Sequence, residues 1–245
     1  MEHEAVIIRL TRRILSRPIV PMLAAILILV LLQPAAPEPS ARAAAAVEAV
    51  RSAIADTQSR LETVGPAESL AGEIFRRVAV EQAARRALAE HVEPLPLDER
   101  RVAEWRAWRL ITPLDADNTA WLKRHLPPDG WFRISRDGEG VTNAAFLIVQ
   151  HSGDLALMKQ VLARMEPLAR RGEVRGEQFA LLYDRTALGE GRLQRYGSQL
   201  ICTEGRLDFH RLEDPKRVDE RRKAIGMRET LAEYASHFAG FRQPC

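Results

Sequence analysis

Residues 155–171, LALMKQVLARMEPLARR, place Leu155, Met158, Leu162, Met165 and Leu168 three and four positions apart. That is the spacing of one helix face, not the alternation of a strand. The same pattern governs most of the chain. From Ala41 to about Val64 the residues favour helix, with Val47, Val50, Ile54, Leu61 and Val64 at heptad positions and Thr57 breaking the series. Fewer than three heptads predict a helix packing one face on a neighbour, or a stalk, rather than a coiled coil. Gly65-Pro66 stops it, and residues 67–92 predict a second helix with Leu70, Ile74, Val78 and Leu88 on one side. Asp98 can cap the next helix, where Val102, Trp105 and Trp108 put two indoles on one face, a stripe expected in the core. Residues 115–126 predict a short helix with Asp115 as cap, and 177–188 another.

The pattern changes after Gly189. Residues 193–203 and 207–212 read as two strands around Glu204-Gly205, and helix returns at 218–224 and 228–238. The expected fold is mainly α, with one small β-hairpin (193–212) near the C-terminus. Its expected divisions are a leader (1–43), a helical stalk or pair (44–97) ending in the extended Glu93-Pro94-Leu95-Pro96-Leu97, and an α-rich globular domain (98–245).

The leader holds the one long apolar run, IVPMLAAILILVLL (19–32), behind Arg9, Arg12, Arg13 and Arg17. A basic start, an apolar centre and a small-residue tail are the plan of an export signal. Fourteen residues at about 1.5 Å each fall short of a ~30 Å hydrocarbon core, although extension to Ala36 approaches a spanning length. Ala41-Arg42-Ala43 offers a cleavage site before Ala44, while the basic leader favours a retained single-pass anchor with its N-terminus inside. Both outcomes place the body in the periplasm, either tethered to the inner membrane through residues 19–36 or released.

The chain carries a formal charge of +3. The first 43 residues hold five arginines against three glutamates, so the body is close to neutral and shows no basic stripe for nucleic acid. Cys202 and Cys245 are too few for a disulfide scaffold or a four-ligand zinc site; they either pair in an oxidising compartment or stay apart, Cys202 as a small buried hydrophobe. No phosphate-binding glycine loop, serine elbow or cofactor motif is present, and His151 with Asp154 makes only a pair of metal-ligand types, so neither cofactor nor metal is expected.

Polar groups stand among apolar neighbours in the second half: Gln150 and His151 closing an apolar run, Asp184 and Arg185 inside FALLY-DR, and Arg195, Tyr196 and Gln199 on the first expected strand. Gly130-Trp131, QHSGD (150–154), LYDR (182–185), QRYGSQ (194–199) and VDERRKAIGM (218–227) resemble an uncharacterised bacterial family with Q-H-x-x-D, D-R and Y-G-[ST]-Q signatures in this order. The resemblance spans roughly residues 113–238 and departs at Phe132, where the family usually has Pro. It implies shared architecture and no mechanism.

His151 is the candidate general base, because imidazole alone titrates near neutral pH unaided. Asp184 is the candidate to orient it, and Gln150, Arg185, Arg195, Tyr196 and Gln199 are candidates to bind an anionic ligand. Each has a plainer role: Asp154 as a helix cap, Asp184-Arg185 as an ion network against the hairpin, His151 as donor to a carbonyl, Arg221 and Arg222 on a solvated face. Two functions stay open: an envelope module binding an unknown ligand or partner, and a hydrolase or transferase acting on a small anionic or envelope substrate. Cell fractionation is expected to recover the chain with the envelope, its N-terminus starting at Ala44 if cleaved or Met1 if anchored; intact, lipid-free chain in the cytosol would contradict the leader's reading.

Overall fold

Ser40 opens the first helix of the computed structural model, which describes residues 38–238; the leader's apolar run and Cys245 lie outside them. Its hydroxyl accepts from the Ala43 amide and starts α1, Ala41–Val64; Ser69 does the same for Gly72 at the head of α2, Leu70–Ala87. A π-helical turn, Leu88–Val92, extends α2, and α3 runs from Leu97–His125. The rest is α4, Ile134–Asp137; α5, Glu139–His151; α6, Leu155–Ala169; α7, Gly176–Gly189; strands β1, Leu200–Thr203, and β2, Arg206–Phe209; then α8, Val218–Ala224, and α9, Leu231–Ser236. The chain is mainly helical, with one antiparallel hairpin pairing Leu200 with Phe209 and Thr203 with Arg206. Among the described residues no helix is long and apolar enough to cross a membrane.

Two hydrophobic clusters hold the helices, and α2 serves both. Ala84 and Ala87 pack with Ala43, Ala46, Val47 and Val50 of α1 and Ala103, Ala107 and Ile111 of α3. Ile74 and Val78, a few residues earlier, join the larger cluster built from α5, α6 and α7. Alanine-rich faces let α1, α2 and α3 approach closely but give the first two too little apolar surface to stand alone. Residues from Pro39 on accordingly form one compact unit, with a turn after the π-helical segment.

Three local expectations need correction. α3 does not restart at Asp115: it continues past Pro113, whose lost hydrogen bond is tolerated because both flanking turns are packed. Trp105 and Trp108 are 50% and 42% exposed, because α3 buries the face carrying Ala103, Ala107 and Ile111. Arg109 stacks on Trp105 at 4.8 Å and Arg85 on Trp108 at 5.6 Å. The strands are four residues each, so 194–199 is a loop, pinned by a bridge between Gln194 and Leu212 and bent at Gly197, φ 67°. Cys202 sits on β1 and is disulfide-bonded.

Gly176, opening α7, meets the backbone of the α8–α9 connection: a Cβ there would lie 2.1 Å from the Ile225 carbonyl oxygen. Gly176→Ala is expected to cost about 2 kcal/mol or more by urea denaturation. Gly72→Ala, whose Cβ meets nothing nearer than 3.4 Å, is expected within about 1 kcal/mol of wild type, on the stabilising side.

Candidate functional site

Glu81 is charged and 1% exposed, in the middle of α2. A lone carboxylate there would cost several kcal/mol, so its partners decide whether the fold tolerates it. One oxygen, Oε1, accepts from the Gln82 side-chain amide at 3.1 Å, bonds Nδ1 of His151 at the end of α5, and pairs with Arg85 at 3.2 Å. Arg85 continues the chain of charges, donating through both terminal nitrogens to Asp115 of α3 at 3.1 and 2.8 Å. Burial pushes the Asp115 carboxyl up, and Arg85 pulls it back. Glu81 thereby joins α2, α3 and α5 at one point. It also fixes the imidazole: Nδ1 faces the carboxylate and Nε2 is the nitrogen left for other chemistry.

Above this chain lies a cavity of about 690 Å³ whose wall includes Arg85, Trp108, Asp115, Gln150, His151 and Arg185. That size suits a small organic ligand. Arg185 comes from α7. It donates to the Gln150 carbonyl oxygen at 2.7 Å and reaches the Gln199 side-chain oxygen only at 3.4 and 3.5 Å. Among the described residues it has no carboxylate partner. Burial, then the charge of Arg85, lowers its pKa from the ordinary arginine value.

Asp184 precedes Arg185 by one residue and does different work. Consecutive helical residues point about 100° apart, so Asp184 faces away from the cavity wall and into the 194–199 loop. It is fully buried and accepts from the amides of Arg195 (2.6 Å), Tyr196 (3.0 Å) and Ser198 (2.9 Å) and from the Ser198 hydroxyl (2.9 Å). Burial pushes its carboxyl up, and these donors oppose the shift. The far side of the loop is braced by two arginines expected on a solvated face. Arg222, 1% exposed, donates to the Tyr196 carbonyl at 2.9 Å, and Arg221 donates to the Arg195 carbonyl at 2.9 Å.

The sequence-predicted residues therefore separate into two groups. Gln150, His151 and Arg185 line the cavity, and Gln199 reaches it through Arg185. Asp184 bonds to the loop, and Glu81 takes the position beside His151 expected of Asp184. Arg195 stacks over Tyr183 at 5.8 Å, outside the cavity wall. Tyr196 packs edge-on against Phe179 and Tyr183, its hydroxyl pushed up to about 12 by burial, so it stays protonated near neutrality. Asp154 caps α6 through the Leu157 amide at 2.9 Å and pairs with Lys123. Glu81 and Arg85 were not singled out from the sequence, and Asp115 only as a helix cap, although Ile74, Val78, Glu81, Arg85 and Leu88 follow one another at helical steps of three and four. Two charges on an apolar stripe were the available signal. Among the described residues no group of three His, Cys, Asp or Glu is placed to hold a metal ion.

A family of unknown function, DUF6624, matches residues 73–239. The chain belongs to that family. No curated protein and no solved structure matches the chain. The DUF6624 match begins within α2 and takes in Glu81, Arg85, Asp115, His151, Asp184, Arg185 and Arg222. Both the cavity and the braced loop are thus parts of the DUF6624 region, whereas α1 precedes it.

Asp184→Ala leaves three amides and a hydroxyl without their acceptor, and is expected to cost at least about 3 kcal/mol by urea denaturation. Ser198→Ala alone is expected to cost about 1 kcal/mol and to add little on top of Asp184→Ala, because the two share one bond.

Proposed function

We propose that this chain is a cell-envelope module whose cavity binds a small anionic ligand, the negative group seated on Arg185 with His151 beside it. The observation that carries this is Arg185 itself: a largely buried guanidinium with one good hydrogen bond, two long ones, and no carboxylate among the described residues. A carboxylate or phosphate accepting from its fork would supply the missing compensation. Arg85 cannot play that part, since Asp115 and Glu81 already occupy it. The envelope location rests on the basic and apolar leader, which lies outside the described residues.

A second reading is a hydrolase or transferase with His151 as general base. The bond from Nδ1 to Glu81 favours it, because an imidazole held by a buried carboxylate keeps Nε2 as its basic nitrogen toward the cavity. In this version Glu81 orients the ring and Asp184 has no part.

Calorimetric titration with acetate and with inorganic phosphate tests the first reading. Arg185→Gln is expected to weaken both at least tenfold, with near-UV circular dichroism unchanged; equal affinity in the two proteins would contradict it. For the second, turnover of p-nitrophenyl esters is expected to fall at least a hundredfold in His151→Gln, and turnover independent of His151 would eliminate it.

A further inference from the structure

We infer that the ligand is an amphipathic organic anion, one carboxylate or phosphate head on an aliphatic body; this rests on the anion-binding reading above. Two observations lead to it. The first is a balance of charge at the wall. Arg85 is committed to Asp115 and Glu81, and His151 to Glu81, so Arg185 is the one guanidinium of the wall without an acidic partner among the described residues. One such cation suits one anionic head. A polyphosphate would bring several negative charges to a wall that already carries Asp115.

The second is what covers the remaining wall. Trp108, Ala116, Leu155 and Met158 line the cavity along with the polar groups. Inorganic phosphate or acetate on Arg185 would fill a small part of about 690 Å³ and leave this apolar surface wet. Trp108 is 42% exposed yet held in place, with Arg85 stacked at 5.6 Å from its ring. An exposed indole on a fixed support presents area for contact at little ordering cost. Met158 adds an unbranched side chain that adapts to the shape of an aliphatic chain. The head group thus sits at α7 and the body runs toward α3 and α6.

The test uses the full chain, titrated calorimetrically with acetate, with octanoate well below its micellar concentration, and with octylamine. Octanoate is expected to bind at least thirtyfold more tightly than acetate and than octylamine, and Trp108→Ala to narrow the octanoate-to-acetate ratio at least threefold. Equal affinities for octanoate and acetate would overturn the aliphatic body while leaving the anion site standing. Octylamine binding as tightly as octanoate would overturn the anionic head. Undiminished binding of both anions by Arg185→Gln would remove the underlying reading as well, so the two failures are distinguishable.

Discussion

The carboxylate of Glu81 is the charge around which this molecule is arranged. Removing it from water is costly, and its partners gather on one oxygen, Gln82 and His151 by hydrogen bonds and Arg85 as an ion pair, while the other oxygen has no hydrogen-bond partner among the described residues. Because His151 comes from α5, and Arg85 in turn holds Asp115 of α3, the electrostatic requirement becomes a geometric one. α5 must end where His151 can reach α2, and α3 must bring Asp115 to the other side of Arg85. The apolar clusters supply most of the driving force for association, but hydrophobic contact is non-directional. The buried charges select the register in which the three helices meet.

The 194–199 loop is held by a second buried carboxylate in a different way. Asp184 accepts mainly from backbone amides rather than from ionised side chains, and Arg221 and Arg222 take the carbonyls on the other side of the same segment. These bonds take up the Arg195, Tyr196 and Ser198 amides and the Arg195 and Tyr196 carbonyls without a strand. Asp184 and Arg185 are neighbours in sequence but separate in function: one secures the loop, and the other turns to the cavity and leans on Gln199 from that secured loop. Arg185, with no carboxylate partner among the described residues, thus also touches a loop that does not itself line the wall.

Much of the architecture was legible from periodicity. Leu155, Met158, Leu162, Met165 and Leu168 do form one side of α6, and the hairpin turns at Glu204-Gly205. The tryptophan stripe misled because side-chain size was weighed over closeness of approach: α3 buries Ala103 and Ala107 against α1 and leaves Trp105 and Trp108 outside. Pro113 and Asp115 imitated a helix boundary, but Asp115 is spent on Arg85. QHSGD and LYDR both supply residues to the cavity wall, but the side chains pair differently from the expectation. Asp184 and His151 share chemistry without sharing a neighbourhood, whereas Glu81, seventy residues from His151, reaches it through the packing of α2 on α5. That pairing is tertiary, and no local spacing encodes it. Arg222 was assigned to solvent for the same reason, since its acceptors come from residues 196 and 229.

The central claim is that Glu81 fixes the His151 ring, with Nδ1 toward the carboxylate and Nε2 toward the cavity. Long-range ¹H–¹⁵N correlation of the histidine ring nitrogens reads this directly, with His151 assigned by its loss in His151→Gln. The account predicts a His151 ring whose Nδ1 carries a proton toward Glu81, with an Nε2 resonance that moves when a ligand anion is added. An imidazole protonated on Nε2, unchanged by Glu81→Gln, would contradict it.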